Sequence, residues 1–245
     1  MKKSKRGQSL STTRRITLTA VFAALAYAAM FVFRFNVTFL TFDLKDAVIT
    51  IAGLLLGPVA AFTVSLLVAT LEFITVGDTG WYGFIMNFAS SATFSVVCAT
   101  VYSYRKTLAG AAMGLASAVV ALVSVMLSLN LLITPFYQGV PRSVVMEMIP
   151  TLFLPFNAVK ASVNAGIVLI LYKPVHQAMQ AAKVMPRPTE ESEADGCGKK
   201  RRVCRSLCVL VVGLVLLILA ILVFSMILHG DFTLFGEFTW FENLA

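Results

Sequence analysis

Apolar runs long enough to cross a lipid bilayer recur along this chain, at roughly 16 to 35, 82 to 104, 108 to 136, 150 to 172 and 207 to 228, each near the ~20 residues that one span needs. A segment in lipid must satisfy its backbone polar groups internally, which such single runs achieve as helices. Between the first two runs, residues 46 to 75 form one apolar block interrupted by Gly57-Pro58. That pair predicts the end of one helix and the start of the next, with proline in its first turn. The expectation is an all-α polytopic membrane protein: a six-helix core, whose second helix is short, plus a seventh C-terminal transmembrane helix. The composition agrees, with 58% apolar and 13% charged residues and a mean hydropathy of +0.86.

Charge placement orients the helices, because cytoplasmic loops collect Lys and Arg. With the N-terminus inside, all but four of the 20 basic residues fall in inner segments. Arg34, Lys45 and Arg142 are then expected outside, and Lys160 alone within a helix. The net charge of +8 therefore reports orientation in a cell membrane, with no nucleic-acid partner implied. Basic residues followed by an apolar run with Ala26-Tyr27-Ala28 resemble a secretory leader, but the run continues through Phe33. An uncleaved first helix is expected. Four regions follow: a basic cytoplasmic N-terminus at 1 to 15, the membrane domain at 16 to 173, a polar linker at 174 to 206, and the added helix with its aromatic tail at 207 to 245.

Several chemistries lack their residues. No G-x-x-x-x-G-K-[ST] loop is present, and the two histidines, His176 and His229, sit in no catalytic motif. Cys98, Cys197, Cys204 and Cys208 have no zinc-site spacing and read as incidental reduced cysteines, so neither a metal nor a cofactor is expected. The chain does not read as an enzyme; Lys160 with Glu72 is the nearest thing to a reactive pair. Asp43 and Asp46 lie at a loop-to-helix junction, where Asp46 suits a helix N-terminus.

The informative stretch is TLFLPFNAVKASVNAG at 151 to 166. At about 100° per residue, Asn157, Lys160 and Asn164 fall within one sector of roughly 60°. A lysine at mid-membrane costs roughly 2.5 to 3.5 kcal/mol on insertion scales, which points to a ligand or coupling role. Asn130, Asn87 and Glu72 approach the same depth, and Phe42, Trp81, Tyr82, Phe136 and Tyr137 gather at the outer level. Together they outline an outward-facing pocket with aromatic walls and a polar floor. Asn87 and Asn130 equally suit helix-to-helix bonding, and Trp81 and Tyr137 interfacial anchoring. In the first helix Ala20, Ala24 and Ala28 form a small stripe that permits close approach of another helix, as do Gly110 and Gly114 in the fifth.

The alanine stripe, FDLKDAVITIAGLLLGPVAAF at 42 to 62, NFASSATF at 87 to 94, LNLLITPFY at 129 to 137 and LPFNAVKASV at 154 to 163 together resemble the substrate-binding S component of energy-coupling factor (ECF) vitamin transporters, and within that family the riboflavin-specific type. The resemblance implies a bacterial six-helix protein that takes riboflavin, or a related flavin, from outside and releases it inward by toppling. Its implied partners are a transmembrane coupling protein and two ATPase subunits. By motif, Asn130, Asn157 and Lys160 would bond the polar edge of the flavin ring, and the loop around Phe42 and Asp43 would close over it. Ala20, Ala24 and Ala28 would face the coupling protein. VGDTGWYG at 76 to 83 departs from the family pattern, which leaves another small vitamin open as ligand. A membrane scaffold using the seventh helix is the reading from a different class.

Overall fold

The structure, a computed structural model, describes residues 11–37, 40–77 and 79–181. The predicted seventh helix, the aromatic tail and most of the linker lie outside these residues. Helix α1 (Thr12–Val32) leads into a short antiparallel hairpin of β1 (Phe35–Val37) and β2 (Leu40–Phe42), paired Phe35 to Phe42. Then come α2 (Lys45–Leu56), α3 (Pro58–Val76), α4 (Gly80–Tyr104), α5 (Leu108–Gln138), α6 (Arg142–Met148) and α7 (Leu154–Ala181). Among the described residues, five helical segments are long and apolar enough to span a membrane, the last running from Arg142 through Val175. The short second helix is also present.

The Gly57-Pro58 break behaves as the sequence predicts. Gly57 has φ 101° and ψ 171°, a backbone region essentially closed to residues with a Cβ, and Pro58 opens α3 at its first position. The sharp reversal lets α2 and α3 pack side by side. At the same end Arg15 donates from Nη2 to the Leu56 carbonyl at 2.9 Å, satisfying one of the carbonyls that the end of α2 leaves without a helical partner.

Helix α2 is the axis of the bundle. Ten of its twelve residues are buried, and α1, α3, α4 and α7 all pack on it. Elsewhere the outer faces carry apolar residues, and their hydroxyls bond back along the helix, as Thr17 does to Thr13, Thr63 to Val59 and Ser124 to Val120. That habit removes orphan donors from a lipid-facing surface. The two small-residue surfaces resolve differently. Gly114 faces inward, where a Cβ would come within 2.8 Å of the Cys98 carbonyl oxygen, so it serves the packing of α4 against α5. Ala20, Ala24 and Ala28 are exposed, whereas Ala23 and Ala26 are buried beside Phe22 and Met30.

The last span is not one uniform helix. A π-helical turn at Ile149–Phe153 joins α6 to α7, directly ahead of Pro155. Proline lacks the N–H of the regular ladder and its ring crowds the carbonyl four residues back, and a wider turn relieves both. Helix α7 then continues through Pro174 to Ala181, eight residues into the stretch read as linker. A second apolar cluster, including Leu40, Phe42, Val145, Met148, Phe153 and Phe156, seats the hairpin on this segment.

The Gly57 backbone gives a direct test. Gly57→Ala should cost about 1–3 kcal/mol and lower the thermal unfolding midpoint of the detergent-purified protein, with no change in the helix content of the folded state.

Candidate functional site

The site starts from a mismatch of lengths. Twelve residues of α2 extend about 18 Å, well short of a ~30 Å hydrocarbon core, so the helix begins inside the bundle. Its first backbone N–H groups, which have no helical partners, must be satisfied there. Asn164 of α7 supplies one partner, its Oδ1 accepting from Ala47 N at 2.9 Å. Asp43 supplies another, Oδ1 accepting from Lys45 N at 3.3 Å. The Asn164 Nδ2 also donates to the Asp43 carbonyl at 3.3 Å and the Lys160 carbonyl at 3.0 Å. Asn164 is thus a clamp between α7 and the start of α2.

A chain of four acidic and basic side chains meets at this junction, with the Asp46 carboxyl buried beside it. Lys160 Nζ donates to Asp43 Oδ2 at 3.1 Å and to the Thr41 carbonyl at 3.3 Å. Lys45 Nζ lies 3.3 Å from the same Asp43 oxygen and donates to Glu72 Oε2 at 2.5 Å. All four residues are at most 5% exposed. Asp43 lies in the loop ahead of α2; burial by itself raises its carboxyl, and the Lys160 and Lys45 ammoniums offset that, holding it below the usual carboxylate range.

Two expectations are corrected here. Lys45, assigned from charge placement to an outer segment, is a fully buried member of α2, because the short helix starts below the hairpin. Glu72 pairs with Lys45, while Lys160 pairs with Asp43; the Lys160–Glu72 pair is not formed. Asp46 does sit in the first turn of α2, as a helix N-terminus favours, and accepts from Ser91 Oγ at 2.5 Å.

Beside this network is a cavity of about 270 Å³, near the lower end of the ~300–1,000 Å³ typical of small-molecule sites. Asn157 and Lys160 from α7, Glu72 from α3, and Asn87 and Ser90 from α4 supply its polar groups, and Phe73, Phe84, Tyr137 and Phe156 its aromatic ones. The hairpin end closes it with Arg34, Leu40 and Thr41. Of the predicted ligand residues, Asn87, Tyr137, Asn157 and Lys160 therefore line one cavity. Three do not line it. Phe42 packs edge-to-face on Phe156, centroids 6.4 Å apart, and Asp43 lies behind Lys160. Asn130 is fully buried, its Nδ2 donating to the Met126 carbonyl and its Oδ1 accepting from Thr134. Trp81, Tyr82 and Phe136 are exposed, as anchors at a membrane interface would be.

Arg34, Phe84 and Phe156 were not singled out by the sequence. The two phenylalanines look like any others in an apolar helix, and Arg34 looks like a flanking charge. Lys160 carries three N–H donors, and two are used by Asp43 and Thr41, leaving one for an occupant of the cavity. Asn87 makes no side-chain hydrogen bond among the described residues, so its carboxamide is also available. The arrangement is a preformed cavity in which lysine and carboxamide groups face aromatic walls. Among the described residues, no group of His, Cys, Asp and Glu is arranged to hold a metal.

Comparisons with known proteins bear on the family and the fold. The curated riboflavin transporter RibU of Staphylococcus aureus (strain TCH60) is 24% identical over 180 residues, covering 69% of this chain and 94% of its own length. A solved S component of a bacterial ECF transporter matches with a TM-score of 0.59 at 23% identity, over 69% of this chain and 99% of that one, which shows a shared fold. The family model for the ECF transporter, substrate-specific component, matches residues 14–174, so this chain belongs to the substrate-specific components of ECF transporters, polytopic membrane proteins that bind a transported substrate.

Proposed function

We propose that the chain is the high-affinity riboflavin-binding subunit of an ATP-driven ECF uptake transporter in a bacterial cell membrane. The observation that carries the reading is the pairing of Asn157 and Lys160 on one helix face at the wall of a cavity bordered by Phe73, Phe84, Tyr137 and Phe156. A flat tricyclic ring suits aromatic and aliphatic walls, and its carbonyls and ring nitrogens accept from lysine and amide donors. The name of the staphylococcal relative supports the same ligand.

In this reading the N-terminus is cytoplasmic and the cavity opens outward beneath the hairpin. Asn157, Lys160 and Asn87 bond the flavin, Tyr137 borders it, and Phe42 and Asp43 hold the hairpin that closes over it. Asn130 acts indirectly, by bracing α5. Ala20, Ala24 and Ala28, exposed on α1, face a transmembrane coupling protein that carries two ATPase subunits. The linker and added helix beyond the described residues are accessory to binding.

Fluorescence titration of purified full-length protein tests the ligand: riboflavin emission should be quenched on binding, and an unquenched signal at saturating protein would remove riboflavin from consideration. Lys160→Met should weaken flavin binding roughly 10- to 100-fold, the loss expected for one charge-assisted hydrogen bond. Asp43 keeps Lys45 as its counter-ion in that variant, so the protein should still fold, which a retained thermal transition would verify. Deleting residues 182 to 245 should leave riboflavin affinity within about threefold of the full chain, because that corresponds to under 1 kcal/mol; loss of binding would assign the C-terminal segment a direct role.

A further inference from the structure

The seam between α2 and α4 collects oxygen atoms that the chain of lysines and carboxylates does not use. Asp46 and Thr50 lie one turn apart on α2, and Ser91 and Ser95 one turn apart on α4, so two side-chain pairs meet at successive levels. At the first, Ser91 Oγ donates to Asp46 Oδ1 at 2.5 Å. At the second, the Thr50 and Ser95 hydroxyls are 3.1 Å apart. All four residues are at most 1% exposed. The helices are close here: a Cβ on Gly53, about a turn further along α2, would come within 3.1 Å of the Ala99 Cβ on α4.

The protons in this seam are all committed. Thr50 donates to the Asp46 carbonyl at 2.6 Å, so Ser95 is the donor between the two hydroxyls, and Ser91 donates to Asp46. A hydroxyl has one proton, which leaves only oxygen lone pairs, and Asp46 Oδ2 is buried with no hydrogen-bond partner. Charge points the same way. Asp43, Asp46 and Glu72 are three buried carboxyl groups beside two buried lysines, and the salt bridges of both lysines go to Asp43 and Glu72. The first turn of a helix and the Ser91 hydroxyl both favour a carboxylate at position 46. A buried carboxylate without a counter-charge is costly. One carboxylate among neutral hydroxyl oxygens, with no nitrogen or sulfur ligand, suits a hard cation of single charge.

We propose that the α2–α4 seam is a binding site for a sodium ion, held by Asp46 Oδ2 and the hydroxyl oxygens of Ser91, Thr50 and Ser95. With a single carboxyl ligand it is unlike the clusters of His, Cys, Asp and Glu that the described residues lack. The ion supplies the positive charge that the two lysines leave unmatched and ties α2 to α4. Ser90, the neighbour of Ser91, lines the cavity, so one residue separates the ion from the space through which it would enter. The site goes beyond the flavin reading and does not depend on it.

The test is thermal unfolding of detergent-purified full-length protein, without flavin, in sodium chloride and in choline chloride at equal concentrations. Wild type should unfold at a higher temperature in sodium, with a gain that grows with the logarithm of the sodium concentration once the site fills. Asp46→Asn keeps an acceptor for Ser91 and removes the charge, so its midpoint should be the same in both salts. Ser95→Ala removes one neutral ligand and should move the onset of the gain to roughly tenfold higher sodium. Equal wild-type midpoints in the two salts would overturn the site, as would a sodium gain that survives in Asp46→Asn. Should Asp46→Asn not fold, an unmoved onset in Ser95→Ala overturns it equally. Equal midpoints in the two salts, together with a wild-type midpoint that falls as pH rises while that of Asp46→Asn does not, would replace the ion by a proton on Asp46. Flavin binding is read separately, so each of these outcomes leaves the flavin reading as it stands.

Discussion

The chain Glu72–Lys45–Asp43–Lys160 is the constraint on which the rest of the membrane domain depends. Each ion alone would face a penalty of several kcal/mol on leaving water. Lysines and carboxylates alternate along it, the oxygen of Asp43 is shared by both lysines, and the Asp46 carboxyl is buried beside it, accepting from Ser91. Removing a middle member would strand a charge, whereas the intact set is tolerated in a low-dielectric interior. The network also joins four parts of the chain: α3 through Glu72, α2 through Lys45, the loop after the hairpin through Asp43, and α7 through Lys160. Asn164 closes it by occupying both the Ala47 N–H and the Asp43 carbonyl. A half-length helix can therefore start inside a membrane bundle with two of its first backbone N–H groups, those of Lys45 and Ala47, satisfied by side chains.

What was legible in the sequence follows from which signals are local. Apolar run lengths and the Gly57-Pro58 break specify helices from neighbouring residues, and the helices among the described residues match the runs that fall there. The shared face of Asn157, Lys160 and Asn164 needed only helical periodicity. Partnerships needed the tertiary fold. Lys45 lies one residue before an apolar run, where flanking lysines ordinarily face water, and only the depth at which α2 starts makes it a buried counter-ion. Asn130 and Asn157 are the same residue type on apolar helices, and each donates to the carbonyl four residues back. They separate only because α7 turns Asn157 to the cavity and α5 turns Asn130 into the packed interior. The π turn before Pro155 was likewise invisible to a pattern based on run length.

The two faces of α1 show how small residues serve two purposes on one helix. Ala23 and Ala26 let α1 approach α2 and α3 closely, while Ala20, Ala24 and Ala28 leave a shallow, sterically undemanding surface outside. No residue of α1 lines the cavity. A partner helix can therefore press on the outer stripe without touching the ligand, and the ligand can change without altering the stripe. Communication between them can pass through α2 and α3, on which α1 packs, or along the chain from the end of α1 to Arg34 at the cavity.

The lysine that looked expensive on a membrane helix is better understood through its partners. Asp43 and the Thr41 carbonyl hold its ammonium in place before any ligand arrives, so an occupant does not have to order that side chain, a saving in conformational entropy of the kind that raises affinity in preformed sites. The same two acceptors belong to β2 and the loop that follows it. An occupant that accepts the third N–H therefore shares one ammonium with the hairpin, and its presence bears directly on how firmly the hairpin is held. A ligand can shift the hairpin only to the extent that it binds two arrangements of it differently, and in the reading proposed above Lys160 would carry that difference.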